Sequence, residues 1–164
     1  MAGDRISMLR KQRDFVWSEE HWFATLSQAL KDVGPQEAAW QPPGGGNTIW
    51  QTVNHLNYYN EAILYRIIGR KFEHTASGNT ATFGEGSAED AAGWEATAER
   101  TRQLANELSK ALDELTDADL DKPNEKGHTL ADELPAWVMH DAHHAGQIVL
   151  IRKQQGSWPA QRES

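Results

Sequence analysis

Two imidazoles stand four residues apart in the segment His140-Asp141-Ala142-His143-His144-Ala145-Gly146-Gln147, within a strongly helical stretch. Residues i and i+4 share a helix face one turn apart, so His140 and His144 can hold one ion between them. Two ligands alone seldom make a selective site. His55, inside another long helical pattern, offers a third imidazole, and three neutral imidazoles with open coordination positions form a reactive divalent-metal centre. The alternative for any single histidine is a half-buried polar residue on a helix flank.

The neighbouring residues sort by direction. His143 faces about 100° from His144 and about 60° from His140, which makes it a surface or supporting residue rather than a third ligand. His21, His74 and His128 read as solvent-exposed, with His21 able to approach a neighbouring site. Gln147, three residues beyond His144, can orient a ligand imidazole or serve as an ordinary polar flank residue. Tyr58, Tyr59 and Glu61 are weaker candidates for proton transfer. No residue is assigned a catalytic role.

Four helical patterns separated by three breaker-rich connections must position these groups. The first runs from Asp4 to Asp32, with Phe15, Trp22, Leu26, Ala29 and Val33 near helical spacing, and stops at Gly34-Pro35. The second starts after Pro42-Pro43-Gly44-Gly45-Gly46, capped by Asn47 or Thr48, and runs to about Lys71. The third opens at Ser87-Ala88-Glu89-Asp90 and continues through Leu104, Leu108, Ala111 and Leu115. The fourth starts at Thr129, with Asp132 three residues on, and ends at Gly156; Pro135 falls in its first two turns, where a missing N–H costs least. No stretch alternates with period two for long enough to be a strand, so the expected class is all-α, a four-helix bundle in one domain over 1–164.

Helices two and three are joined by a segment from Phe72 to Gly86. Extended, its roughly 15 residues reach about 50 Å, enough to cross a helix of about 24 residues and 36 Å. A long crossover between helices two and three, with those helices parallel, is therefore expected. Plotted at about 100° per residue, His140 and His144 flank an apolar stripe of Leu130, Leu134, Trp137, Val138, Ala145, Ile148 and Val149. His55 flanks the stripe of Ile49, Val53, Leu56, Asn60, Leu64 and Ile67. A metal there would sit in the wall of a groove at a helix seam, with a position open to substrate.

The 164 residues include no cysteine, and the formal charge is −8. Disulfides, thiolate ligands and a cysteine nucleophile are excluded, which leaves histidine and carboxylate as metal ligands. The 16 basic residues are scattered, so nucleic-acid binding, which wants a basic stripe, is disfavoured. No apolar run has signal-peptide or membrane-spanning length, so a soluble cytoplasmic protein without membrane contact is expected.

Two segments carry a family resemblance. Ala39-Trp40-Gln41-Pro42-Pro43 leads through Thr48-Ile49-Trp50-Gln51-Thr52-Val53-Asn54-His55-Leu56, and a second segment runs from His140 through Ile148. A Trp-x-Pro turn, a helix with one histidine before an apolar residue, and a late helix with His-x-x-x-His-x-Gly-Gln-Ile together resemble the DinB/YfiT-like superfamily, from the first helix to Gly156. The resemblance implies a four-helix bundle with a long crossover, a divalent ion, zinc or nickel, on His55, His140 and His144, and a homodimer. Members of known activity are thiol-dependent transferases and isomerases that use low-molecular-weight thiols.

A three-histidine centre can generate hydroxide for hydrolysis or activate an incoming small thiol. The resemblance favours a metal-dependent S-transferase acting on a small molecule. A catalytically silent metal-binding stress or ligand-binding protein is the alternative from another class. A ferritin-like di-iron bundle is set aside, because no two of the helical patterns supply the Glu-x-x-His elements it needs.

Overall fold

The computed structural model describes residues 4–159, and these contain helices and connections with no strand among them. Seven α-helices follow one another: α1 (Arg5–Trp17), α2 (Leu26–Leu30), α3 (Pro35–Ala38), α4 (Ile49–Ile67), α5 (Ala91–Asp113), α6 (Asp117–Leu120) and α7 (Leu130–Gln154). The four long ones, α1, α4, α5 and α7, form the bundle.

Side-chain pairs give its direction. Asn57 Nδ2 donates to Thr97 O (3.1 Å) and Glu61 pairs with Arg100 (2.7 Å), so α4 and α5 run parallel. Asn60 accepts from Trp137 (3.1 Å) and Arg66 pairs with Glu133 (2.7 Å), so α7 runs against α4. Arg13 reaches Ala105 O (2.8 Å) and Arg10 reaches Leu112 O (2.8 Å), so α1 runs against α5. The all-α bundle with parallel second and third long helices is the expected one.

Helix ends follow local chemistry. Thr48 and Thr129 each close a capping box, with Gln51 and Asp132, that satisfies two orphan donors. Helix α4 stops at Ile67 rather than near Lys71 because Gly69 takes a left-handed φ of 69°, and Arg70 N turns back onto Tyr65 O (2.8 Å). Helix α5 starts at Ala91, four residues after the Ser87 that opens its start signal, with Asp90 as its cap.

The expected first helix over Asp4 to Asp32 is corrected. It breaks after Trp17, where the Ser18 and Glu19 N–H groups both turn onto Asp14 O. A new helix starts at a capping box of Thr25 and Gln28. That start signal outcompetes continuation of the apolar spacing, and Trp22, counted in the stripe, is 89% exposed.

The core has two apolar halves. One gathers Leu64, Leu104, Leu108, Leu134 and Val138; the other gathers Val53, Leu56, Trp94, Ala145 and Ile148. Each fully buried leucine or isoleucine contributes about 1.5–3 kcal/mol. A polar layer of Arg13, Asn60, Thr101 and Asp141 lies between them on the same helices, and all four are buried.

The crossover returns along α4 from its C-terminal to its N-terminal end. Phe72 packs on Tyr58, Tyr59 donates to Asn79 Oδ1 (3.0 Å), Asn54 donates to Phe83 O (2.9 Å), and Gln51 donates to Gly84 O (3.2 Å). Its last residue, Gly86, lies so close to the Trp50 indole that a Cβ would overlap the ring. Trp50 is buried and packs edge-on against Trp94, so it has nowhere to move. Gly86→Ala is therefore expected to lower the unfolding free energy by about 1–3 kcal/mol in urea melts; unchanged stability would contradict that contact.

Candidate metal centre

His55 lies two turns into α4, held there by the Thr48 cap, while His140 and His144 lie one turn apart in the middle of α7. Because the two helices run antiparallel with Asn60 level with Trp137, all three imidazoles meet. One ring nitrogen from each lies within 4.8 Å of the others, and these three histidines are the group found among the described residues that could hold a metal ion. His55 Nε2 and His140 Nε2 stand 3.0 Å apart.

Hydrogen bonds on the far side of each ring decide which nitrogen faces inward. The Thr82 hydroxyl donates to Asn79 O (2.6 Å), so it can only accept from His55 Nδ1 (2.6 Å), and His55 carries its proton there. His144 Nδ1 donates to Gln147 Oε1 (2.7 Å). His140 Nδ1 donates to Asp141 Oδ1 (3.3 Å), a carboxylate also bonded by Asn60 Nδ2 (3.2 Å). The inward lone pairs then belong to Nε2 in every case.

Burial favours the neutral form of His55 and His144. His55 is 3% exposed, and burial, reinforced by charge on His144 and His140, pushes its pKa down to about 4. His144 is likewise pushed down by burial, with help from His140 and His143 and opposition from the Gln147 hydrogen bond. Neutral imidazole is the metal-binding form. The donor set fits a divalent ion: bonds of about 2.0–2.1 Å place neighbouring nitrogens about 3.0–3.4 Å apart, close to the 3.0 Å seen between His55 and His140.

The surroundings narrow the open groove at the bundle flank: His55 and His144 are buried, while His140 keeps 30% of its side chain exposed. The crossover covers the cluster, with Phe83 stacked on His55 at 4.1 Å and 11°. Tyr59 sets its ring edge-on to His55 and His140. Of the proton-transfer candidates only Tyr59 adjoins the cluster: Tyr58 pairs with His74 and Phe72, and Glu61 with Arg100. His143 is exposed and lies outside the cluster, with its ring 5.2 Å from His144. His21 packs against Phe15, and His128 lies by Glu133.

Sequence reasoning missed Asp141, Asn79, Thr82 and Phe83. Asp141 had a signal: it falls on the α7 core stripe, three residues after Val138 and four before Ala145, where an unpaired carboxylate is rare. The crossover residues had none, because loop spacing says nothing about which helix a loop covers.

An all-helical bundle with three converging imidazoles between its second and last long helices defines a class of small histidine-centred helical proteins. Within that class, residues 19–148 match the family model of the DinB superfamily, a span that includes all three histidines, and the chain belongs to that superfamily. No curated protein and no solved structure matches it.

Stability carries a pH signature. His55 is neutral in the fold down to about pH 4, whereas in the unfolded chain it protonates near 6.5. The unfolded state therefore binds the extra proton, and stability present above about pH 6.5 is lost as pH falls toward 4. Metal-free protein is expected to lose about 3 kcal/mol to this group over that window. Urea melts at several pH values check it by comparison with His55→Asn; equal slopes for the two proteins would contradict the shift.

Proposed function

We propose that His55, His140 and His144 bind one divalent cation, zinc or nickel, and that the protein is a metal-dependent S-transferase joining a low-molecular-weight thiol to a small electrophile. The observation that carries the metal reading is the mutual approach of one ring nitrogen from each histidine, with an oxygen acceptor at Nδ1 of all three rings. Imidazole donors suit zinc and nickel.

A bound divalent cation supplies a Lewis acid that lowers the pKa of a thiol or water at its open positions. The chain's own residues do the rest. Phe83 and the crossover limit access of bulk water to the rings. Tyr59, whose hydroxyl proton is committed to Asn79 Oδ1, keeps lone pairs on its oxygen that can accept a hydrogen bond from an incoming thiol or water and so help to orient it. In the net reaction, the thiol sulfur forms a bond to the electrophilic carbon while the leaving group departs with the thiol proton. With no cysteine in the sequence, the thiol has to be a substrate, which agrees with the superfamily's chemistry.

A second reading draws on burial. His55 is 3% and His144 8% exposed, and closed sites more often hold structural ions; on this reading the protein keeps the ion for stability or ligand capture and turns nothing over.

One experiment addresses both. Tag-free protein is expected to carry about one ion per chain by elemental analysis, lost in His144→Ala, as for a single centre. Metal-loaded protein is expected to turn over small thiols with electrophilic substrates, and the His55→Ala, His140→Ala double variant is not. Full metal occupancy in His144→Ala sinks the centre. Occupancy without turnover above the double variant favours the silent binder.

A further inference from the structure

Behind the histidines, in the polar layer, lies a small, partly open cavity of about 20 Å³. Its polar lining consists of Arg13, Asn57, Asn60, Thr101, Trp137 and Asp141. Asn60, Thr101 and Trp137 spend their donors on one another, on backbone carbonyls or on Asp141.

Arg13 and Asp141 are different. Arg13 is only 7% exposed and brings five N–H donors from α1. Among the described residues its only side-chain hydrogen bond runs from Nη2 to Ala105 O (2.8 Å), its ion pair with Asp14 is long, at 3.9 Å, and its guanidinium lies over the Trp17 ring. Asp141, also 7% exposed, accepts from His140 and Asn60 through Oδ1 alone. Oδ2 has no hydrogen-bond donor among the described residues. Asn57 donates to Thr97 O and likewise leaves its Oδ1 unbonded. Two opposite buried charges with unspent hydrogen-bonding capacity thus face one small polar space.

An ordered water needs about 10–15 Å³ and two to four polar partners. The cavity offers both. We infer that it holds one ordered water, which accepts from Arg13 and donates to Asp141 and Asn57, and that Arg13 is thereby a positioning residue for the His140 imidazole. The link is short: the water fixes the carboxylate plane, the carboxylate receives His140 Nδ1–H, and His140 Nε2 is held toward His55. Burial weakens the hold of the Arg13 guanidinium on its proton, while the charges of Asp14 and Asp141 support it.

The role of Arg13 toward the ion rests on the metal-centre reading; its role toward the imidazole does not. Crystal structures of the metal-free wild type and of Arg13→Met, at a resolution that shows waters, test the latter. The wild type is expected to show one water bonded to both Arg13 and Asp141. In Arg13→Met the Asp141 carboxylate is expected to turn and the His140 ring to leave its wild-type position. An empty cavity, or an unmoved His140 ring in the variant, overturns the inference. Arg13→Gln serves the same comparison if Arg13→Met does not fold.

Zinc competition with a chromophoric chelator supplies the second readout. Arg13→Met is expected to weaken zinc binding about tenfold, Arg13→Lys to restore part of the loss, and the Arg13→Met, Asp141→Asn double variant to bind no more weakly than Asp141→Asn alone. Additive losses would show that Arg13 does not act through Asp141 and would overturn its role. Wild type that binds no zinc would instead remove the metal-centre reading, with the crystallographic comparison still deciding the positioning of His140.

Discussion

Two imidazole nitrogens 3.0 Å apart, each with its proton held on the other side of its ring, set the terms for the middle of this bundle. Lone pairs so placed repel unless a proton or a cation lies between them. Burial disfavours the proton on His55. A divalent cation would answer the same constraint without protonating the rings, and the cluster would offer it His144 as well. Thr82, Asp141 and Gln147 each contribute by fixing a tautomer, which is how ligand histidines are oriented in metal sites.

The bundle's topology follows from the same requirement. Antiparallel packing of α4 and α7 brings His55 level with His140, and the parallel course of α4 and α5 demands a long return segment. That segment is pinned along α4 at Tyr59, Asn54 and Gln51, so the connection that completes the fold also supplies the acceptor for His55 and the ring stacked on it. Between two apolar half-cores, the layer carrying Arg13, Asn60 and Asp141 forgoes apolar packing. Through Asn60 and Asp141 it holds the His140 imidazole in return.

Much of this was legible in the residues. Capping boxes at Thr48 and Thr129 and the left-handed glycine at 156 mark three ends of the two site helices, whereas the stop at Gly69 falls short of the expected end near Lys71, and the i,i+4 spacing of His140 and His144 places them on one face. The helical period misled at the N-terminus, where Trp22 kept the spacing but the chain had already turned at Ser18. Flank positions on a helical wheel suggested half-open histidines. The crossover buried His55 instead, because a wheel records one helix and not the loop that folds over it. Asp141 could have been noticed as a carboxylate on a core stripe; Thr82 and Phe83 could not.

The most direct test of the central claim is an anomalous difference map, recorded at the zinc edge from crystals of tag-free protein supplied with zinc. A single peak within bonding distance of the Nε2 atoms of His55, His140 and His144 is the predicted result. A map with no peak there, or with its peak at the exposed His143 or at the His74 and Tyr58 pair, would contradict it.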